Sequence, residues 1–292
     1  MSPPPRLVLS VLAGCFLGLQ LAVLSGCATL PAHRPEISVA EVDGRMLLDQ
    51  WLRSPHPGSL QGLAKVKLQT PERSLSGTQV LLAEAPDRLR AETLSPFGTP
   101  LMVMAANGSE LAVLLPGDSR FYLGQATPEN LGRFTRLPLR LADLVNILLF
   151  RPPRIDYHQL QTSPRTDGGW LVVLEAGPRR QELHFDSSRR LIGVAYLYGE
   201  ELQLRLAYGE FAEEPLNLPR RIELILPLQR TEVSLTFKEL EVDRPFLPGV
   251  FTLVAPPGVM VTNLDEAAMP SGSAETGAAA VEGSRLLQGE GE

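Results

Sequence analysis

The chain has 292 residues, a net charge of −6 and two cysteines, Cys15 and Cys27. Thiols placed only at the N-terminus leave no disulfide framework for the body, so stability has to come from a packed core, and the roughly 200 positions from 60 to 264 suffice for one sizeable domain. Charge is uneven: residues 265–292 hold six acids and one arginine, residues 1–26 hold only Arg6, and residues 27–264 come to about −2, which argues against the clustered basic face of a nucleic-acid-binding surface.

Residues 1–26 read as a signal segment, with a positive start, an apolar run over 7–24 and small residues before Cys27. The run nears the roughly 20 residues that cross a bilayer. Gly14, Gly18, Ser25 and Gly26 weaken that alternative, and no basic stop-transfer cluster follows. Leu24-Ser25-Gly26-Cys27 resembles the lipobox of bacterial lipoproteins. The resemblance implies that the Cys27 thiol takes a diacylglyceryl group and becomes the new N-terminus. Leu12-Ala13-Gly14-Cys15 fits the same pattern. A cut there would shorten the apolar region to about seven residues and leave Phe16–Leu24 exposed. Two or more acyl chains on one residue anchor a protein stably, where a single chain does not. Ala28, rather than Asp, after the cysteine favours the outer membrane of a diderm bacterium, at its periplasmic face, by analogy with enteric bacteria.

Residues 27–37, with Pro31 and Pro35, read as a tether. Over 38–53, Val39, Val42, Met46, Leu47 and Trp51 recur at helical spacing, although Gly44 interrupts the pattern, and Pro55-His56-Pro57-Gly58 stops it. From residue 60 the period becomes two. Ala64, Val66 and Leu68 alternate with Lys65 and Lys67, one face inward and one in water. Strands of the same kind are predicted over 78–83, 88–94, 101–105, 110–115 and 120–123, with Asn107-Gly108 as the strongest hairpin signal. Thr127 caps a predicted helix that has Pro128 at its first position and runs to about Phe134. A second helix is expected over Leu141–Phe150, ended by Pro152-Pro153, and both are apolar enough to pack on the sheet. Strands resume over 170–175, 182–186, 191–198, 202–208, 221–226 and 232–237. Some twelve evenly spaced strands cannot stay flat, so one antiparallel sheet should curl into a barrel or half-barrel. Val250–Leu264 is a loop or edge strand at best, because of Pro256-Pro257-Gly258. Residues 265–292, acidic and without aromatics, read as a disordered tail.

The order of elements carries a likeness. Leu94-Ser95-Pro96-Phe97-Gly98 precedes a strand. Pro128–Leu139 and Leu141–Pro153 form a helical insertion with a proline stop. Leu206–Phe211, Leu218–Leu224 and Val233–Val242 follow as closing strands. Together with the lipobox, this order resembles LolB, the outer-membrane lipoprotein receptor, and its periplasmic partner LolA, over roughly residues 40–245. The resemblance implies a mainly β fold with inserted helices: a curved, unclosed antiparallel half-barrel with a helical lid over 38–245. Residues 246–264 would be an extension packed on or near the sheet. It further implies an apolar cavity that holds the acyl chains of lipoproteins or another lipid, a LolA-like carrier as partner, and no cofactor, since transfer runs down an affinity gradient. Phe97 stands where the family typically has Leu, and the extension and acidic tail are additional, which marks a divergent branch.

Val66, Leu68, Leu144, Leu148, Leu204 and Leu206 are the candidates to line such a cavity. Periodicity does not separate lining from ordinary core, and a filled barrel holds no ligand; the alternative is therefore an accessory envelope lipoprotein with its cavity filled. Phe97, between Pro96 and Gly98 in a turn-like stretch, either folds back on the sheet or stands out to meet a bilayer or an incoming lipid. Catalytic signals are lacking. His33 and His56 sit in the tether and the proline stop, and His158 and His184 lie in strand regions with no metal-ligand spacing. There is no nucleophile elbow or phosphate loop. Glu213-Glu214, neighbours on a strand, would point to opposite faces.

Overall fold

The computed structural model describes residues 43–212 and 217–266. The lipobox, the tether, the start of the helix expected from residue 38, Glu213-Glu214 and the tail beyond 266 lie outside the described residues. The first element is helix α1, Gly44–Arg53, capped by the Asp43 carboxylate, which accepts from the Arg45 N–H at 2.8 Å. Its buried face is Gly44, Leu47, Leu48 and Trp51. Met46, expected inward from its spacing, is exposed, and Leu48 is buried in its stead. Gly44 is required by close approach, since a Cβ there would stand 1.7 Å from Thr162 Oγ1.

Six strands follow: β1 (Ser59–Gln69), β2 (Ser74–Glu84), β3 (Arg88–Leu94), β4 (Pro100–Asn107), β5 (Glu110–Leu115) and β6 (Arg120–Gln125). Helices α2 (Pro128–Thr135) and α3 (Leu141–Leu148) come next. The remaining strands are β7 (Gln159–Pro164), β8 (Trp170–Ala176), β9 (Arg179–Phe185), β10 (Leu191–Tyr198), β11 (Glu201–Phe211), β12 (Pro219–Leu226), β13 (Thr231–Val242) and β14 (Met260–Asn263). β7 has no counterpart in the sequence expectation, whereas β14 falls where a loop or edge strand is expected. β7 carries a single apolar residue of the core, Leu160, so it lacks a period-two signature, and His158 lies just before it, donating its N–H to the Glu175 carbonyl. β14 is an edge strand added beside β6.

All described strands form one sheet in the order β14-β6-β5-β4-β3-β2-β1-β13-β12-β11-β10-β9-β8-β7. Neighbours are antiparallel except β14, which runs parallel to β6. β14 and β7 stand at opposite ends and do not pair, so the sheet is a curved half-barrel rather than a closed one. The central seam, β1 with β13, joins the two halves of the chain in register from Leu60↔Val242 to Gln69↔Glu232, with one irregularity at Leu63/Ala64.

Because β6 and β7 belong to opposite ends of the sheet, the chain between them, 126–158, crosses its breadth, and this crossing carries α2 and α3. Thr127 accepts from the Asn130 N–H at 3.2 Å and Pro128 opens α2, as the sequence predicts; Arg136 ends it in the left-handed region, φ 62°. α3 stops at Leu148, two residues short of expectation, because Phe150 turns left-handed at φ 60° ahead of Pro152-Pro153. The inward faces of the strands and the apolar faces of the helices make one core, with Leu47, Trp51, Leu131, Ile147, Phe185, Tyr196 and Phe237 among its members.

A second apolar layer lies on the outer face. Val103 and Ala105 of β4, Ala112 of β5, Phe121 of β6 and Phe251 are buried yet stand apart from that core. After β13 the chain returns across this face. Arg90, on the outer side of β3, donates to the Val250 carbonyl at 2.9 Å, and Met260 then joins β6, so the segment between them crosses β4 and β5. Its end is held by Asp265, whose carboxylate accepts from the Gln125 N–H at 3.1 Å and from Asn130 Nδ2 at 2.9 Å.

Candidate functional site: an apolar cavity under the helices

Between the sheet and the helices lies a cavity of about 420 Å³, within the range of about 300–1,000 Å³ usual for ligand pockets. Its wall is built by alternation. Inward residues of β1 (Val66, Leu68), β2 (Leu75, Leu81), β3 (Leu89, Ala91), β4 (Met102, Met104), β12 (Ile222, Leu224) and β13 (Val233, Leu235) form the sheet side. Phe134 and Leu137, at and just after the end of α2, and Leu144, Ile147 and Leu148 of α3 form the roof. The cavity reaches solvent at the β1–β2 hairpin end, where Leu75 borders it and is 47% exposed.

Four of the six candidate lining residues come together here: Val66, Leu68, Leu144 and Leu148. Leu204 and Leu206 do not. Both are buried on β11, one strand beyond β12, where the chain after α3 fills the inner face. That filling is pinned by polar groups which sequence reasoning missed. Tyr208 Oη donates to the Ile147 carbonyl at 3.0 Å. Tyr196 Oη and Gln181 Nε2 both donate to the Pro153 carbonyl, and the Ile155 N–H donates to Gln181 Oε1 at 3.0 Å. Gln181 is completely buried. Burial pushes both tyrosine hydroxyls well above their usual value, so they stay neutral donors. Each of these side chains sits on an otherwise apolar strand face, where a lone Gln or Tyr gives no sign of its partner in advance. The half-barrel is therefore filled over β8–β11 and hollow over β1–β4, β12 and β13.

At the open end, β3 and β4 are joined by the turn carrying Pro96, Phe97 and Gly98. Thr93 and Met102, paired in register just below it, border the cavity. Phe97 is 94% exposed. Its outward stance is imposed by the turn: the Gly98 N–H donates to the Ser95 carbonyl at 2.9 Å, Ser95 Oγ accepts from the Phe97 and Thr99 N–H groups, and Gly98 takes φ 82°. Leu101, in the strand just after the turn, is also exposed.

No protein-family profile and no curated protein matches the chain. Among solved structures the chain is similar to a LolA superfamily protein from Nitrosomonas europaea, at 16% identity over 73% of this chain and 98% of that one, with a TM-score of 0.49. It is also similar to a DUF1329 family protein from Desulfovibrio piger, at 12% identity, 70% and 94% coverage and a TM-score of 0.49. A third similar structure is a putative outer membrane lipoprotein-sorting protein domain from Vibrio parahaemolyticus, at 12% identity, 67% and 89% coverage and a TM-score of 0.44.

Among the described residues the ion pairs and buried titratable groups serve packing and charge pairing. Among the described residues no three His, Cys, Asp or Glu side chains gather as a metal site. His184 lies against Arg165 and 3.7 Å from Glu182, and burial holds its pKa down, Arg165 adding to the effect. Asp143 is buried at the start of α3 and paired with Arg140 at 2.7 Å; burial raises its carboxyl while Arg140 opposes the shift. That pair braces the helix that roofs the cavity.

Proposed function

We propose that the chain is a divergent LolB-like lipoprotein that takes an acyl chain of a lipoprotein, or of another lipid, into the cavity and passes it to the outer membrane. The observation that carries this reading is the 420 Å³ apolar space, which opens at the end that bears Phe97. At the ~30 Å³ that a water takes in the liquid, this is room for about a dozen waters, or for a chain of a similar number of methylenes, and apolar walls leave water few partners. Each methylene buried there gains about 0.8 kcal/mol. An acyl group could thus be held tightly with no cofactor and no bond made or broken, so the proposed activity is carriage rather than catalysis.

The remaining parts follow from the same reading. Cys27, acylated, ties the protein to the periplasmic face of the outer membrane through the tether over 27–37. Pro96, Phe97 and Gly98 form the contact with the bilayer or the arriving lipid. The donor is a LolA-like periplasmic carrier.

The test is a transfer assay. The chain without acylation at Cys27 is mixed with a periplasmic carrier loaded with an acylated lipoprotein, and the lipoprotein is followed. The expected result is movement onto this chain. No movement, with no lipid co-purifying, would sink the reading.

A further inference from the structure

Some glycines in the strands and turns of this sheet are dictated by their neighbours. A Cβ at Gly62 would stand 2.5 Å from the Glu239 carbonyl oxygen, and one at Gly169 would stand 2.1 Å from that of Phe185. Gly77 is different. It lies inside β2 on the face that borders the cavity, outside the left-handed region, and the nearest atom to its would-be Cβ is Thr93 Cγ2 at 3.7 Å, an ordinary contact. Neither packing nor backbone asks for glycine there, and glycine weakens a strand interior unless something approaches closely. What its missing side chain leaves is space, at the open end of the cavity.

That space is bordered by the one polar pair in the wall. Gln79 and Thr93 face each other across β2 and β3, and Gln79 Nε2 donates to Thr93 Oγ1 at 3.0 Å. Thr93, accepting, keeps its own proton to donate, and the Gln79 amide keeps a second N–H. Thr135, also in the wall, has its hydroxyl engaged with the Leu131 and Leu137 backbone. Deeper in, Leu81, Leu89, Leu144 and Ile147 offer nothing polar. Ser76, the other polar residue of the wall, is exposed beside the mouth. The cavity thus pairs an apolar depth with two part-buried donors, Thr93 and Gln79, at its mouth.

We propose that Gly77, Gln79 and Thr93 form a subsite for the ester carbonyl of an acyl glyceride, the oxygen accepting from Thr93 Oγ1 and Gln79 Nε2 while the chain runs inward. This rests on the acyl-chain reading above and adds to it an orientation and a preference for ester over plain hydrocarbon. The ester belongs either to the diacylglyceryl group of a lipoprotein or to a phospholipid, and both present the same chemistry.

The experiment uses the full chain with Cys27→Ser, so that no acyl group of its own competes, loaded with an apolar fluorophore. Two matched competitors displace it: 1-palmitoylglycerol and its ether analogue 1-hexadecylglycerol, which lacks the carbonyl. The ester is expected to displace at about fivefold lower concentration, the size of one net hydrogen bond. Thr93→Val alone, and Gln79→Leu with Thr93→Val, should abolish that preference, ester and ether then displacing at equal concentration. Gly77→Val should weaken both competitors without lowering the unfolding temperature, since valine suits a strand better than glycine. A diacylated lipopeptide and a phospholipid of equal chain length then identify the source by which displaces at lower concentration. Equal displacement by ester and ether in the parent chain, or a preference that survives both variants, would overturn the subsite while the acyl-chain reading stands. Failure of both competitors would overturn the two together.

Discussion

The Tyr208 hydroxyl on β11 reaches the Ile147 carbonyl at the end of α3, 3.0 Å away, and Phe150 packs edge-on against the same ring at 5.9 Å. This contact fixes the roof of the cavity to the filled half of the sheet. Tyr208→Phe keeps the ring and removes the donor. It should cost about 1 kcal/mol, seen as a fall of roughly 2–4 °C in the unfolding temperature of a domain this size, while Phe150 stays packed. Protection of the α3 amides from hydrogen exchange should fall more than protection of β1 and β13.

Filling the cavity should separate binding from stability. Leu68→Trp adds bulk at a position that borders the hollow and is only partly buried. We expect lipid uptake, read by displacement of an apolar fluorophore, to drop by about tenfold or more, with an unfolding temperature equal to or above that of the parent chain. The same substitution at Leu206, fully packed on β11, should instead destabilise by about 1–3 kcal/mol through overpacking.

Phe97→Glu should leave folding unchanged, within about 0.5 kcal/mol, because the side chain touches nothing that the fold requires. Delivery of a bound lipoprotein to vesicles should fall, whereas loading from a carrier should persist. Normal delivery by this variant would remove Phe97 from the proposed contact.

The crossing segment over the outer face should be structural. Deleting residues 246–266 would uncover Val103, Ala105, Ala112 and Phe121 together, and the shortened chain should aggregate on heating where the full chain does not. Asn130→Ala is the milder version. It removes the side-chain donor to the Gln125 carbonyl and to Asp265, at a cost of about 1 kcal/mol, since Asp265 still accepts from the Gln125 N–H.

Stability should fall with acid below neutrality. Burial holds His56 and His184 below their ordinary 6.5, so the folded chain resists protons that the unfolded chain accepts. Their contribution is intact above about pH 6.5, declines as the pH drops through that value, and is lost once the pH is below the folded values. Asp143, raised by burial, acts in the opposite sense, its contribution being lost as pH rises through its folded value. Denaturant titrations between pH 7 and 5 should show the loss, and His56→Gln with His184→Gln should flatten the slope.

The sequence alone determined the kind of sheet and where it is interrupted. Period-two alternation in segments such as Ala64–Leu68 assigns each side chain to a face before any partner is known, since that assignment is local. Thr127-Pro128 and Pro152-Pro153 bracket the helical crossing for an equally local reason: one caps and opens a helix, and the other cannot continue one. Tertiary structure decided the rest. Val66 and Leu206 carry the same inward signal, yet one borders a cavity and the other is core, because the difference lies in how α3 and the chain after it, distant in sequence from both, cover the sheet. β7 and β14 exist because a neighbouring strand supplies hydrogen bonds to backbones whose side chains show little pattern. Phe97 stands outward because the Ser95 turn closes beneath it, a contact that local spacing does not encode. Faces follow from residue spacing, whereas cavities, edges and clasps follow from contacts between residues far apart in the chain.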